Sequence, residues 1–261
     1  MNEWTAKSVE IANSAGYLDR LSEIYQINPN PERQIPPEAL PIIKELHEKK
    51  NAPGLVKKLI ELKKLKELKK FPIDDPYVGC LSYSDIFSKN PKTVERIGNR
   101  LLEFDYNALI TLCKQPKSGT RQLGHMFKHW IKKLGFPSFN EADFNRSEKI
   151  CLLDGSDKSL MEHVNSRLGG SLDKGIDLVL KVKPNNFVIG EVKFITASGG
   201  TQTNQLNVAL NLTNESIAKT ASIAIVDGAV WFNNSYRKKV TEKEKPIMSA
   251  LLLKDYIESL I

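Results

Sequence analysis

The stretch that most constrains the fold of this chain is GIDLVLKVKPNNFVIGEVKF, residues 175–194. Leu178, Val179, Leu180 and Val182 make a β-type run, Pro184-Asn185-Asn186 reads as a turn, and Phe187–Ile189 begins a return strand. Strand side chains alternate, so Glu191 and Lys193 project from the face of Ile189, while Val188, Val192 and Phe194 point the other way. Asp177 lies at the open end of the same hairpin. Two carboxylates and an ammonium can therefore meet at one spot.

Around this hairpin the chain divides by periodicity. The first third reads as helical: Ala6–Tyr25, then a proline-rich turn region, Glu38–Lys49, and Gly54–Phe71. Leu55, Leu59, Leu62, Leu65 and Leu68 recur every three or four residues in that last segment. Seven lysines (57, 58, 63, 64, 66, 69 and 70) against Glu61 and Glu67 make it a basic amphipathic helix. Such a face is either merely solvated or a surface for phosphates or a partner. Short helices follow near Lys92–Leu102 and Tyr106–Cys113.

From about residue 115 helix and strand mix. Ser118 is an expected N-cap, and Leu123, Met126, Phe127, Trp130, Ile131 and Leu134 form one apolar stripe. Lys158–Leu168 reads as a further helix and Thr203–Leu212 as another. Ser222–Val226, an Asp227-Gly228 turn and Ala229–Phe232 read as a second strand pair, and Pro246–Ile261 as a closing helix. The expected fold class is α/β (α+β), a mixed β-sheet flanked by helices over 115–261, preceded by an all-α N-terminal domain over 1–114.

No apolar run approaches the ~20 residues that span a bilayer, and MNEWTAKSVEIANSAG contains no apolar signal-peptide core. Three well-separated cysteines, Cys80, Cys113 and Cys151, imply neither a disulfide framework nor a zinc site, so a reducing cytoplasm is the expected setting. A net charge of +7 and a pI near 9.1 favour a polyanionic partner.

If Asp177, Glu191 and Lys193 converge, two carboxylates, the Val192 carbonyl and waters suit the hard, octahedral preference of Mg²⁺. Lys193 would position a water and a phosphate or, with a depressed pKa, help remove a proton. Asp177, thirteen intervening residues and Glu191-Val192-Lys193 resemble the PD-(D/E)xK nuclease signature, without its proline, since Ile176 precedes Asp177. Asp173 is a rival for the acidic position, but the Gly-Ile-Asp-Leu-Val-Leu context favours Asp177.

Within that superfamily the chain looks most like a type II restriction endonuclease over roughly 115–235, most firmly over 173–212. The resemblance implies Mg²⁺-dependent hydrolysis of double-stranded DNA by a C₂ homodimer. Asp177, Glu191 and Lys193 would be catalytic, with Asp177, Glu191, Val192 and an auxiliary Glu162 at the metal. Candidate DNA contacts are Arg121, Gln122, Arg167, Thr201, Gln202, Asn204 and Gln205, the amides being able to read adenine or simply to cap loops. The N-terminal domain would clamp DNA or dimerise.

His125 and His129, four apart, suit a zinc pair but have no neighbouring third ligand in sequence. The alternatives are a repair or junction-resolving nuclease with the same site, and a non-catalytic DNA-binding protein.

Overall fold

A computed structural model describes residues 1–26, 34–68, 70–115 and 123–261. The chain forms two compact units, one of residues Met1–Ile27 and Gly119–Ile261, the other of Asn28–Ser118. In the first unit, α1 (Glu3–Asn13) and α2 (Tyr17–Ile24) replace the single helix expected over 6–25. The break falls at Gly16, whose φ of 76° lies in the left-handed region that glycine enters without penalty.

The second unit is all helical: α3 (Ala39–Glu48), α4 (Ala52–Lys64), α5 (Tyr77–Leu81), α6 (Ser84–Lys89), α7 (Pro91–Leu102) and α8 (Tyr106–Cys113). Its core joins Ile43, Leu55, Leu59, Ile97, Leu101 and Leu109. Helix α4 begins with the Asn51 side chain accepting the Gly54 N–H and stops seven residues short of Phe71. The backbone N–H groups of Glu67 and Leu68 turn back to the Leu62 carbonyl, with Lys66 at φ 63°. The wrap returns Leu68 to the core but leaves Leu65 67% exposed, so Leu65 is not part of the apolar stripe. The carboxylate of buried Asp75 clamps the loop before α5, accepting from Arg96 at 2.6 Å and Arg100 at 3.2 Å.

The first unit is built on a six-stranded mixed sheet in sequential order. Its strands are β1 (Ser138–Phe139), β2 (Cys151–Leu153), β3 (Leu178–Lys183), β4 (Asn186–Ile195), β5 (Thr220–Gly228) and β6 (Ile247–Met248). β3 and β4 are the expected antiparallel hairpin, in register at Val179 and Ile189 and turned through Asn185 at φ 62°. β4 and β5 run parallel, which requires a crossover, supplied by α12 (Gly200–Leu212).

Helices cover both faces. Leu206, Ala209 and Leu210 of α12 pack with Val188 and Val192 on one face, together with Phe127 of α9 (Leu123–Ile131). On the other, Phe144 of α10 (Glu141–Arg146) and Leu160 and Val164 of α11 (Asp157–Arg167) meet Val179 and Ile189. The alternation read from the hairpin thus separates two cores. Ser118, the expected N-cap of α9, lies outside the described residues.

Three expectations fail for reasons of long-range packing. The first 27 residues belong to the sheet unit rather than to an all-α domain over 1–114, because α1 docks on the C-terminal segment. There the Thr5 hydroxyl donates to the Ile247 carbonyl at 2.8 Å, and Trp4 stacks edge-on to Tyr256. The expected strand pair over 222–232 is one strand, β5, followed by turns. Gly228 (φ 82°) lets the chain turn there, where a Cβ would lie 2.4 Å from the Ile195 carbonyl oxygen. The C-terminal helix is divided into β6, a 3₁₀ turn (Ala250–Leu252) and α14 (Leu253–Ser259), after α13 (Asn234–Thr241). Ile247 and Met248 extend the sheet by pairing with Ala224 and Ile225.

Candidate active site

The three charged side chains of the hairpin do meet. β3 and β4 separate at Asp177, whose N–H still donates to the Gly190 carbonyl at 3.0 Å. Its carboxylate then accepts the Val192 N–H at 2.9 Å, so a side chain takes the place of the next ladder bond. This fixes the Asp177 carboxylate beside Glu191. The Lys193 ammonium lies between them, donating to Glu191 Oε1, 3.6 Å from Asp177 Oδ2 and 3.1 Å from the Val192 carbonyl oxygen.

Burial makes this grouping electrostatically tense. Glu191 is only 6% exposed. Its burial, reinforced by the Asp177 charge and opposed by Lys193, pushes its pKa up to about 7. Burial pulls the Lys193 pKa down, but the charges of Asp177 and Glu191 outweigh it and leave the pKa above the ordinary lysine value. Lys193 is therefore an ammonium at neutral pH, which suits the first of its two expected roles, positioning water and phosphate, better than the second, which needed a depressed pKa.

A cation-seeking oxygen set results: two carboxylates and the Val192 carbonyl, already converging on the one positive charge among them. Oxygen donors of this kind fit a hard divalent ion. Among the described residues no three His, Cys, Asp or Glu side chains form a metal-holding group. His125 and His129 are both exposed.

Asp173 is exposed. It shares a groove of about 130 Å³ with Glu191, but the bonds to Val192 and Lys193 belong to Asp177. Glu162 faces solvent and pairs with Lys158 at 3.6 Å. The α11 carboxylate that acts on Glu191 is Asp157, whose charge also raises the Glu191 pKa. α11 approaches this closely because residue 175 is glycine; a Cβ there would stand 2.7 Å from that of Asp157. Nothing local marked Asp157 beyond its place after the Ser156 N-cap.

A cleft of about 240 Å³ opens beside Asp177, lined by Lys128, His129, Lys132 and Asp154. Lys128 pairs with Asp157 and Lys132 with Asp154. Lys128 lies on α9 and Lys132 just beyond it, Asp154 just after β2 and Asp157 at the start of α11.

The polar loop after β4 is held rather than free. The Tyr236 hydroxyl accepts the Gly199 N–H at 3.1 Å and lies 2.9 Å from the Thr203 hydroxyl. The Gln202 side-chain oxygen accepts the Thr196 N–H at 3.1 Å, a loop-capping role. Thr201 and Asn204 are exposed and Gln205 half-buried. Arg167 is exposed at the far end of α11, ten residues or roughly 15 Å beyond Asp157, and is not brought to the trio. Arg121 and Gln122 lie outside the described residues.

No helix among the described residues is long and apolar enough to cross a membrane. No curated protein and no solved structure matches the chain. A model of the Tsp45I type II restriction enzyme family matches residues 2–260, taking in both units. The chain belongs to the Tsp45I type II restriction enzyme family, and is thus a site-specific deoxyribonuclease of a restriction system acting on DNA.

Proposed function

We propose that the enzyme hydrolyses double-stranded DNA with Mg²⁺ as its divalent ion, and that Asp177, Glu191 and Lys193 carry the reaction. The supporting observation is the convergence of these three side chains where β3 and β4 separate, with the Val192 carbonyl beside them. Asp177, Glu191 and the Val192 carbonyl would hold the ion. Type II restriction enzymes generally use divalent metals, and a bound ion supplies activation of water and relief of charge building on the phosphate.

The chain's own groups do the rest. Asp177 is held by the Val192 N–H, so its second oxygen is directed without reorganisation. Lys193, kept as an ammonium, binds the scissile phosphate and orients the water that attacks it. The attacking oxygen bonds to phosphorus, the P–O ester bond breaks, and the proton passes to the departing sugar oxygen.

Thr201, Asn204 and Gln205, at the start of α12, are the proposed readers of base edges. Gln202 contributes through loop geometry and its remaining amide. Arg167, Arg121 and Gln122 are assigned to the phosphate backbone. Glu162, implied by the resemblance as an auxiliary carboxylate, would have to leave its pairing with Lys158 to reach the metal cleft. A C₂ homodimer would match two-fold symmetric DNA, and three free cysteines suit a reducing cytoplasm.

Incubation with plasmid DNA tests the reading. Discrete fragments should form with Mg²⁺ and vanish with chelator, and Lys193→Ala should abolish them. Undiminished cutting by that variant would overturn the site assignment.

A further inference from the structure

The helical unit carries a charge distribution that its packing does not require. Residues 28–118 hold 17 Lys and Arg against 12 Asp and Glu, which is +5 of the chain's +7. Residues 52–70 alone hold seven lysines against Glu61 and Glu67, again +5. The remainder of the unit is neutral, ten against ten.

Elsewhere in the unit five cations have carboxylate partners, while Lys50, Lys92 and Lys114 stand in no ion pair among the described residues. Lys44 pairs with Glu48, Lys49 with Glu45, Lys89 with Asp85, and Arg96 and Arg100 with Asp75. Among the described residues, no ion pair involves Lys57, Lys58, Lys63, Lys64, Lys66 or Lys70. Lys57, Lys64, Lys66 and Lys70 are exposed, and Lys57 and Lys64 lie on one stripe about 10 Å apart along α4. That stripe is opposite the face that buries Leu55, Leu59 and Leu62.

Two ordinary explanations fall short. The helix dipole favours lysine in the last turn by about 0.3–1 kcal/mol; it accounts for Lys63 and Lys64 but not for Lys57 or the lysines beyond the helix. Lys66 occupies a left-handed position (φ 63°), where a non-glycine residue costs about 1–2 kcal/mol. Local conformation therefore opposes lysine there.

We propose that the exposed face of α4 and the turn after it bind the sugar-phosphate backbone of double-stranded DNA without regard to sequence, making the helical unit a DNA clamp rather than a dimerisation unit. DNA presents about one negative charge per 1.7 Å to a face whose cations lack carboxylate partners. A protein partner would want an apolar centre, and among the described residues the only large apolar side chain exposed on α4 or its turn is Leu65. The inference rests on DNA being the substrate, not on which residues cut it.

The test uses the full chain with Lys57→Gln, Lys64→Gln, Lys66→Gln and Lys70→Gln together. Fluorescence anisotropy on an uncut, site-free duplex, in chelator, follows affinity from about 50 to 200 mM salt. The slope of log K against log salt should flatten by about 3.6, near 0.9 for each of the four lost phosphate contacts, with at least about tenfold weaker binding at mid-range. Replacing the same four with arginine should restore both. Cleavage at saturating enzyme in low salt should stay within about twofold of wild type. Should the fourfold variant fold poorly, Lys57→Gln with Lys64→Gln should flatten the slope by about two. An unchanged slope and affinity would overturn the proposal, as would an unchanged slope with a changed sedimentation mass. Because binding is read without metal, failure of the catalytic assignment would leave this result standing.

Discussion

Glu191 and Asp227 are buried carboxylates on adjacent parallel strands, and Asp227 stands opposite Phe194, three residues beyond Glu191. Their surroundings could hardly differ more. Asp227 accepts four hydrogen bonds, from the hydroxyls of Tyr17 (3.1 Å), Tyr25 (2.8 Å) and Ser249 (2.5 Å) and from the Ala250 N–H (3.1 Å). Glu191 has the Lys193 ammonium for a partner and a second carboxylate, Asp177, as its neighbour. Burial raises the pKa of both; at Asp227 the donors oppose the rise, whereas at Glu191 Asp177 adds to it. A buried carboxylate whose lone pairs are spent on the protein is a structural tie. One that is short of donors and crowded by like charge still has bonding to offer an ion.

The comparison predicts opposite outcomes for matched substitutions. The largest effect should be on cleavage by Glu191→Ala, a loss of at least about thousandfold, or roughly 4 kcal/mol of transition-state stabilisation, in a protein that remains folded. Asp227→Ala should do the reverse. It strands three hydroxyls and an N–H, costing about 3 kcal/mol of stability by urea unfolding, while cleavage per folded molecule stays within about tenfold. Loss of activity without loss of stability in Asp227→Ala would break the distinction.

A smaller effect should appear in pH. Because the folded pKa of Glu191 is raised to about 7, its favourable contribution is complete below the ordinary carboxylate pKa. It is lost as pH rises through about 7, where the buried group must ionise. Without metal, Glu191→Gln should therefore gain stability relative to wild type on going from about pH 5 to pH 8, by up to about 3 kcal/mol. Parallel unfolding curves at both pH values would contradict the origin assigned to the shift.

How legible each carboxylate was in the sequence follows from the distance over which it is built. Asp177, Glu191 and Lys193 lie within seventeen residues, and strand alternation together with the pairing of one hairpin brings them together. The enzyme class was read from the resemblance of that pattern and its surroundings to type II restriction endonucleases, and the family match favours it over the repair and non-catalytic alternatives. Asp227 read as a turn residue because its partners Tyr17 and Tyr25 lie more than two hundred residues away. The same separation hid the docking of α1 on the sheet. Asp157 escaped notice because its proximity to Glu191 depends on a glycine contact between elements, not on a motif. In the helical unit, leucine spacing gave α4 but carried it past Lys64, since wrapping of the chain at Lys66 returns Leu68 to the core.

The central claim is that the carboxylate tied to the Val192 N–H, and not its exposed neighbour four residues earlier, is the first acid of the cleavage site. Single-turnover cutting of one plasmid by Asp177→Asn and Asp173→Asn, side by side in Mg²⁺, tests it directly. Asp177→Asn should lose about thousandfold or more and Asp173→Asn should stay within about threefold of wild type. The opposite ranking would contradict the account.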